Sequence, residues 1–145
     1  MDYSIDFSFL DEPRLRQLVT QYHKESVLAY EQGLYAAAVV LCGATLEGVL
    51  TWALRNRLPP STTDKSGRPV TEWTLDALIR RAAAEGIIGD AAEKASWAVK
   101  DFRNYIHPFK VIKGSSRADA ALATSALSAA METVRSLTGR LATMK

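Results

Sequence analysis

The run from Leu34 to Leu54 limits what this chain can fold into more than any other part of it. It is rich in alanine and aliphatic residues, and Glu47 is its single charged side chain. At about 20 residues such a run is long enough to cross a bilayer. Glu47 in the middle, with Gly43, Gly48 and the high alanine content, opposes that, because a carboxylate at mid-bilayer is costly. A helix that is apolar nearly all round is what the centre of a helical bundle requires. A buried core helix over about Leu34–Arg57 is therefore expected, ended by Pro59-Pro60, which cannot continue it. No membrane association is expected.

The neighbours of this helix follow from period and punctuation. A first helix is expected from about Glu12 to Gln32, with Asp11 as N-cap and Pro13 in the first turn. Its apolar positions Leu15, Leu18, Val19, Tyr22, Val27 and Ala29 recur every three or four residues, and Gly33 breaks it. Residues 1–11 read as a loosely held arm whose Phe7, Phe9 and Leu10 can pack over one end of the bundle. Pro59 to Pro69 is polar and full of turn formers, so it reads as a surface loop. Its Thr62, Lys65, Ser66, Gly67 and Arg68 can touch an anion, although no glycine-rich phosphate motif is present. Further helices are expected from Thr71 to Glu85, from Ala91 (capped by Asp90) to His107, and from Arg117 to Leu141, with a loop over Phe109–Ser116. No stretch alternates as a strand does. The expected fold is a single all-α domain over residues 1–145, a bundle of about five helices, antiparallel where connections are short. So much alanine leaves modest side-chain volume for a core, which suggests burial against a second subunit.

Charge narrows the functions. Lysine and arginine total 18 against 16 acidic residues, a net charge of +2, so nucleic-acid binding would have to rest on a local cluster. The single cysteine, Cys42, excludes an internal disulfide and a cysteine-based zinc site within one chain. It reads as a small buried residue in a reducing cytoplasm. The opening Met1-Asp2-Tyr3-Ser4 lacks the basic residues of a signal peptide. No His-Glu-x-x-His spacing, Ser-His-Asp set or phosphate-binding glycine loop is visible, so neither metal nor cofactor is expected.

One short stretch does carry chemistry: Asp101-Phe102-Arg103-Asn104-Tyr105-Ile106-His107-Pro108. On a helix, Arg103 and His107 would project about 40° apart on one side. A permanent charge and a titratable imidazole would then act on one ligand. The same residues also suit a helix end, where His107 before Pro108 can cap and Arg103 can neutralise Glu47, a carboxylate that needs a partner if buried. His23, beside Lys24, reads as a surface residue, and Trp52, Trp73 and Trp97 as core or interface residues.

The run Arg103-Asn104-Tyr105-Ile106-His107-Pro108 resembles the Arg-Asn…His signature of the HEPN superfamily. Upstream, Gly33-Leu34-Tyr35, the alanine-rich helix and the pair Leu46-Glu47 resemble that family's first hairpin. The resemblance covers roughly Glu25 to Lys110. It implies a helical bundle, usually a homodimer, in which an arginine and a histidine from each subunit line a shared cleft that cleaves RNA without metal. Other members are nucleotide-linked toxins, antitoxin partners or inactive accessory domains. Carried over by position, Arg103 and His107 are the active pair and Asn104 is the polar residue that follows the arginine. The family commonly has more residues between arginine and histidine than the three found here, Asn104, Tyr105 and Ile106.

RNA cleavage requires removal of the 2′-hydroxyl proton, stabilisation of charge on the attacked phosphate, and protonation of the leaving 5′-oxygen. Histidine suits the proton transfers and arginine the phosphate. One chain supplies one such histidine, so acid and base roles require His107 of two chains or a water. Asn104 can donate to a phosphate or base, Lys100 and Lys110 can steer the backbone, and Tyr105 can stack on a base. The alternative is a non-catalytic module that binds a nucleotide or a partner protein, such as a nucleotidyltransferase-like antitoxin. A third reading is a plain scaffold braced by Arg103 and His107.

Overall fold

Gly33 and Gly86 turn the chain at the ends of two helices. Both take positive φ (75° and 69°), a conformation glycine adopts without strain, and each ends a helix. The structure, a computed structural model, describes residues 2–100, 108–114 and 118–143. Helix α1 spans Pro13–Glu31, α2 Tyr35–Arg57, α3 Leu75–Ala84, α4 Asp90–Lys100, α5 Pro108–Gly114 and α6 Ala120–Thr143, with a 3-10 turn at Val70–Glu72. The molecule is an all-α helical bundle, without a strand among the described residues. Its five helices of ten residues or more are those expected from the sequence.

Helix α2 is the core. It touches α1, α3, α4 and α6, and Val39, Leu46, Val49, Leu50 and Leu54 on it are fully buried. Burial of each leucine contributes about 1.5–3 kcal/mol. By length and composition the helix could cross a membrane, but most of its apolar window is buried inside the bundle, as a core helix requires. Two ion pairs fix directions. Glu12 and Arg55 (3.6 Å) join the start of α1 to the end of α2, and Asp76 and Lys100 (3.6 Å) join the start of α3 to the end of α4. Both pairs of helices are therefore antiparallel.

Several local expectations need correction. The arm is not loosely held: Phe7 and Leu10 are buried, Phe9 meets Trp52 edge-on at 5.5 Å, and Tyr3 meets Tyr30 at 5.8 Å. Asp11 does not cap α1. It accepts a hydrogen bond from Trp52 Nε1 (2.8 Å), and Glu12 holds the N-cap position without a side-chain bond. The buried stripe of α1 runs through Val19, His23, Ser26 and Ala29, whereas Leu18 is exposed. Helix α3 starts at Leu75, not Thr71, because the Thr74 hydroxyl caps it by accepting from the Ala77 amide (3.2 Å). The expected loop after Pro108 is instead the seven-residue helix α5. Helix α6 begins at Ala120, with Asp119 Oδ1 accepting from the Leu122 amide (2.9 Å).

Candidate functional site

Helix α4 delivers the chain to the Arg103–His107 motif, so its placement bounds the site. Ala92, Ser96 and Val99 form its buried stripe, at the spacing of one helical face. Ser96 and Thr133 of α6 share a hydroxyl hydrogen bond of 3.0 Å, and both are 0% exposed. This pair pins the register of α4 against α6. Gly89 continues the seam, donating its amide to Ser136 Oγ (3.0 Å), and Arg140 donates to the Gly86 carbonyl (3.1 Å).

Residues 101–107 lie outside the described residues, and with them the expected site residues Arg103, Asn104, Tyr105 and His107. Lys100, expected to steer a phosphate backbone, stands against α3. Its Nζ is 3.6 Å from Asp76 and 5.0 Å from the centre of the Trp97 ring. The Arg80 guanidinium lies at the same distance from that ring and 3.4 Å from Asp76. Trp97 Nε1 donates to Glu93 Oε2 (3.0 Å). The last described turn before the motif thus gathers two cations and an indole around one carboxylate. Cation–π contacts and an exposed ion pair are each worth about 1 kcal/mol or less at such a surface, so the cluster orders the side chains more than it stabilises the fold. Asp76, Arg80 and Trp97 were not singled out as site residues in the sequence, although the Asp76/Arg80 and Glu93/Trp97 spacings of four would have paired them.

Beyond the motif, Lys110 belongs to α5, and its side chain lies outside the described residues. Phe109 and Ile112 on the same helix are 78% and 76% exposed. Glu47 is exposed on α2, so it is not the buried carboxylate considered above, and its expected partner Arg103 lies outside the described residues. His23 is buried, at 6% exposure, contrary to its expected surface position. Its Nε2 donates to the Tyr3 carbonyl and its ring meets Phe7 edge-on, so it holds the arm down.

On the flank of α4 opposite Trp97 and Lys100, Ala91, Ala95 and Ala98 floor a groove of about 1170 Å³. The arm forms one wall, and α6 forms the other with Thr124, Ser128 and the ion-paired Glu132 and Arg135. A second cavity of about 600 Å³ lies between the arm and α1. Among the described residues, no group of three or more His, Cys, Asp or Glu stands close enough to hold a metal ion. Comparison with protein-family models, curated proteins and solved structures gives no match.

Proposed function

We propose that the chain is a HEPN-like, metal-independent endoribonuclease of toxin or defence type that works as a cytoplasmic homodimer. The observation that carries this reading is the sequence Arg103-Asn104-Tyr105-Ile106-His107, placed directly after α4 of an all-α bundle. The hairpin of α1 and α2 with its Gly33-Leu34-Tyr35 corner adds to it. In the proposed reaction, His107 of one chain takes the 2′-hydroxyl proton while the 2′-oxygen bonds to the adjacent phosphorus. Arg103 holds the charge on the non-bridging oxygens. The P–O5′ bond breaks, and His107 of the other chain protonates the leaving oxygen. The products are a 2′,3′-cyclic phosphate and a 5′-hydroxyl. Phe109 and Ile112 leave apolar surface beside the motif of the kind a second subunit covers.

The test is cleavage of a mixed labelled RNA pool in EDTA by wild type, His107→Ala and Arg103→Ala, each matched for helicity and mass in solution. The proposal expects each variant to lose at least about 100-fold in rate, the lower end for a proton-transfer group. Equal cleavage by His107→Ala would overturn it. The short spacing of the pair and the near-neutral charge favour a second reading, a non-catalytic module that binds a nucleotide or a nucleotidyltransferase-like partner protein. Folded wild type that cleaves nothing but binds a nucleotide would support that module.

A further inference from the structure

The link from α2 to α3 does more than connect. Asp64 Oδ1 accepts from the amides of Ser66 (2.9 Å) and Arg68 (2.8 Å), and the Asp64 amide donates to the Arg68 carbonyl (3.0 Å). Gly67 turns the tip at φ 79°, and Thr63 bridges to Pro69. Trp73 Nε1 then donates to the Arg68 carbonyl (2.9 Å), which ties the turn to the start of α3. A segment with no helix or strand is thereby held as a small hairpin that projects from one end of the bundle.

That end is basic. From Arg55 to Arg68 the chain carries four cations, Arg55, Arg57, Lys65 and Arg68, against one acid, Asp64, an excess larger than the net charge of the whole chain. Arg55 pairs with Glu12. Arg57, Lys65 and Arg68 are exposed, and no carboxylate among the described residues lies within ion-pair distance of them. The hairpin also lies on the side of α3 that meets Lys100, the last described residue before the motif. It leads into α3, whose second residue, Asp76, meets Lys100, and the chain enters the motif one residue later.

We infer that Arg57, Lys65 and Arg68 form a binding surface for the backbone of single-stranded RNA, lying on the side of α3 that meets Lys100. This rests on the ribonuclease reading for the identity of the polymer. Three features favour an extended polyanion. Lys65 and Arg68 sit on the exposed turn and Arg57 ends α2, and neither of the two cavities described above is lined by them, so neither would enclose a free nucleotide held by these cations. Arg80 and Lys100, each 5.0 Å from the Trp97 ring and paired with Asp76, add cations and a stacking surface on α3 and α4, the helix that follows the link and the one that leads to the motif. A membrane surface fits poorly, because binding there needs apolar side chains beside the charges. Among the described residues the exposed large apolar side chains are Leu18, Leu28, Leu34, Phe109 and Ile112, none of which lies in this loop.

Binding of a short unstructured labelled RNA, followed by anisotropy across a salt series in EDTA, tests the surface. Both arms carry His107→Ala so that the RNA survives, and Arg57→Gln/Lys65→Gln/Arg68→Gln is compared with its parent. Because all three residues are exposed, the variant should keep its melting temperature. The expected result is at least a tenfold loss of affinity and a log–log salt slope shallower by about 2, since each phosphate contact on a single strand contributes about 0.7. Unchanged affinity and slope would overturn the proposal, even if wild type cleaves RNA and the nuclease reading stands. A changed slope in a protein whose wild type never cleaves would keep the surface and remove the nuclease. Failure of the parent to bind RNA, with binding to anionic vesicles instead, would overturn the assignment to RNA.

Discussion

Ser96→Ala removes one half of a hydroxyl pair buried between α4 and α6. The two oxygens are 3.0 Å apart, both side chains are 0% exposed, and neither has another side-chain partner among the described residues. The Thr133 hydroxyl is then left without water or partner, which costs about 1–3 kcal/mol. Thr133→Val keeps the shape and strands Ser96 in the same way, at a similar cost. The double variant strands neither, because two apolar groups of the same shape can replace a buried hydrogen bond almost neutrally. The two single costs should therefore exceed the double cost by at least about 1 kcal/mol, within the range found for residues in direct contact. Urea unfolding of the four proteins at one temperature gives the cycle. For a chain of this size each kcal/mol should also appear as a shift in Tm of about 3 °C. Additivity within about 0.3 kcal/mol would show that the pair does not couple the helices and that the register of α4 is set elsewhere.

Two other predictions concern the core helix. A Cβ on Gly48 would stand 2.8 Å from Val19 Cγ1, and Val19 is buried and β-branched, so it yields little. Overpacking of about 1–3 kcal/mol should outweigh the roughly 1 kcal/mol that alanine gains over glycine in a helix. Gly48→Ala should lower Tm, and in a Val19→Ala background it should raise Tm; stabilisation in the wild-type background would mean that α1 and α2 do not approach so closely. Burial pushes the Cys42 thiol up to about 12, opposed only in part by a hydrogen bond with Ser26. A small thiol reagent at pH 8 should therefore label Cys42 only in denaturant, and rapid labelling of the native protein would contradict its placement.

Much of the fold was legible because a single signal dominated each long element. The apolar run before Pro59-Pro60 marks α2, and Gly33 and Gly86 mark corners at which φ must be positive. What escaped depended on contacts distant in sequence. His23 reads as polar, yet the Tyr3 carbonyl and Phe7 draw it into the core. Asp11 precedes a helix as an N-cap does, yet Trp52, 41 residues away, takes its carboxylate. The helix expected from Thr71 begins at Leu75, because Val70–Glu72 forms a 3-10 turn and Thr74 supplies the cap. Of the expected site, Lys100 was visible as a cation three residues before Arg103. Its partners on α3 were not, because they depend on how α3 and α4 pack. The hairpin at Asp64 read as turn-forming polarity, whereas the hydrogen bonds that make it a fixed presentation of Lys65 and Arg68 are a three-dimensional property.

The central claim is that the Arg103 and His107 pair cleaves RNA through the 2′-hydroxyl. Identifying the product ends tests it most directly. Wild-type protein is incubated with end-labelled RNA in EDTA, and the new termini are assigned by their response to phosphatase and kinase. Termini that are 2′,3′-cyclic phosphates and 5′-hydroxyls, absent with His107→Ala, are the predicted result. Intact RNA, or fragments that end in 3′-hydroxyl and 5′-phosphate, would contradict it.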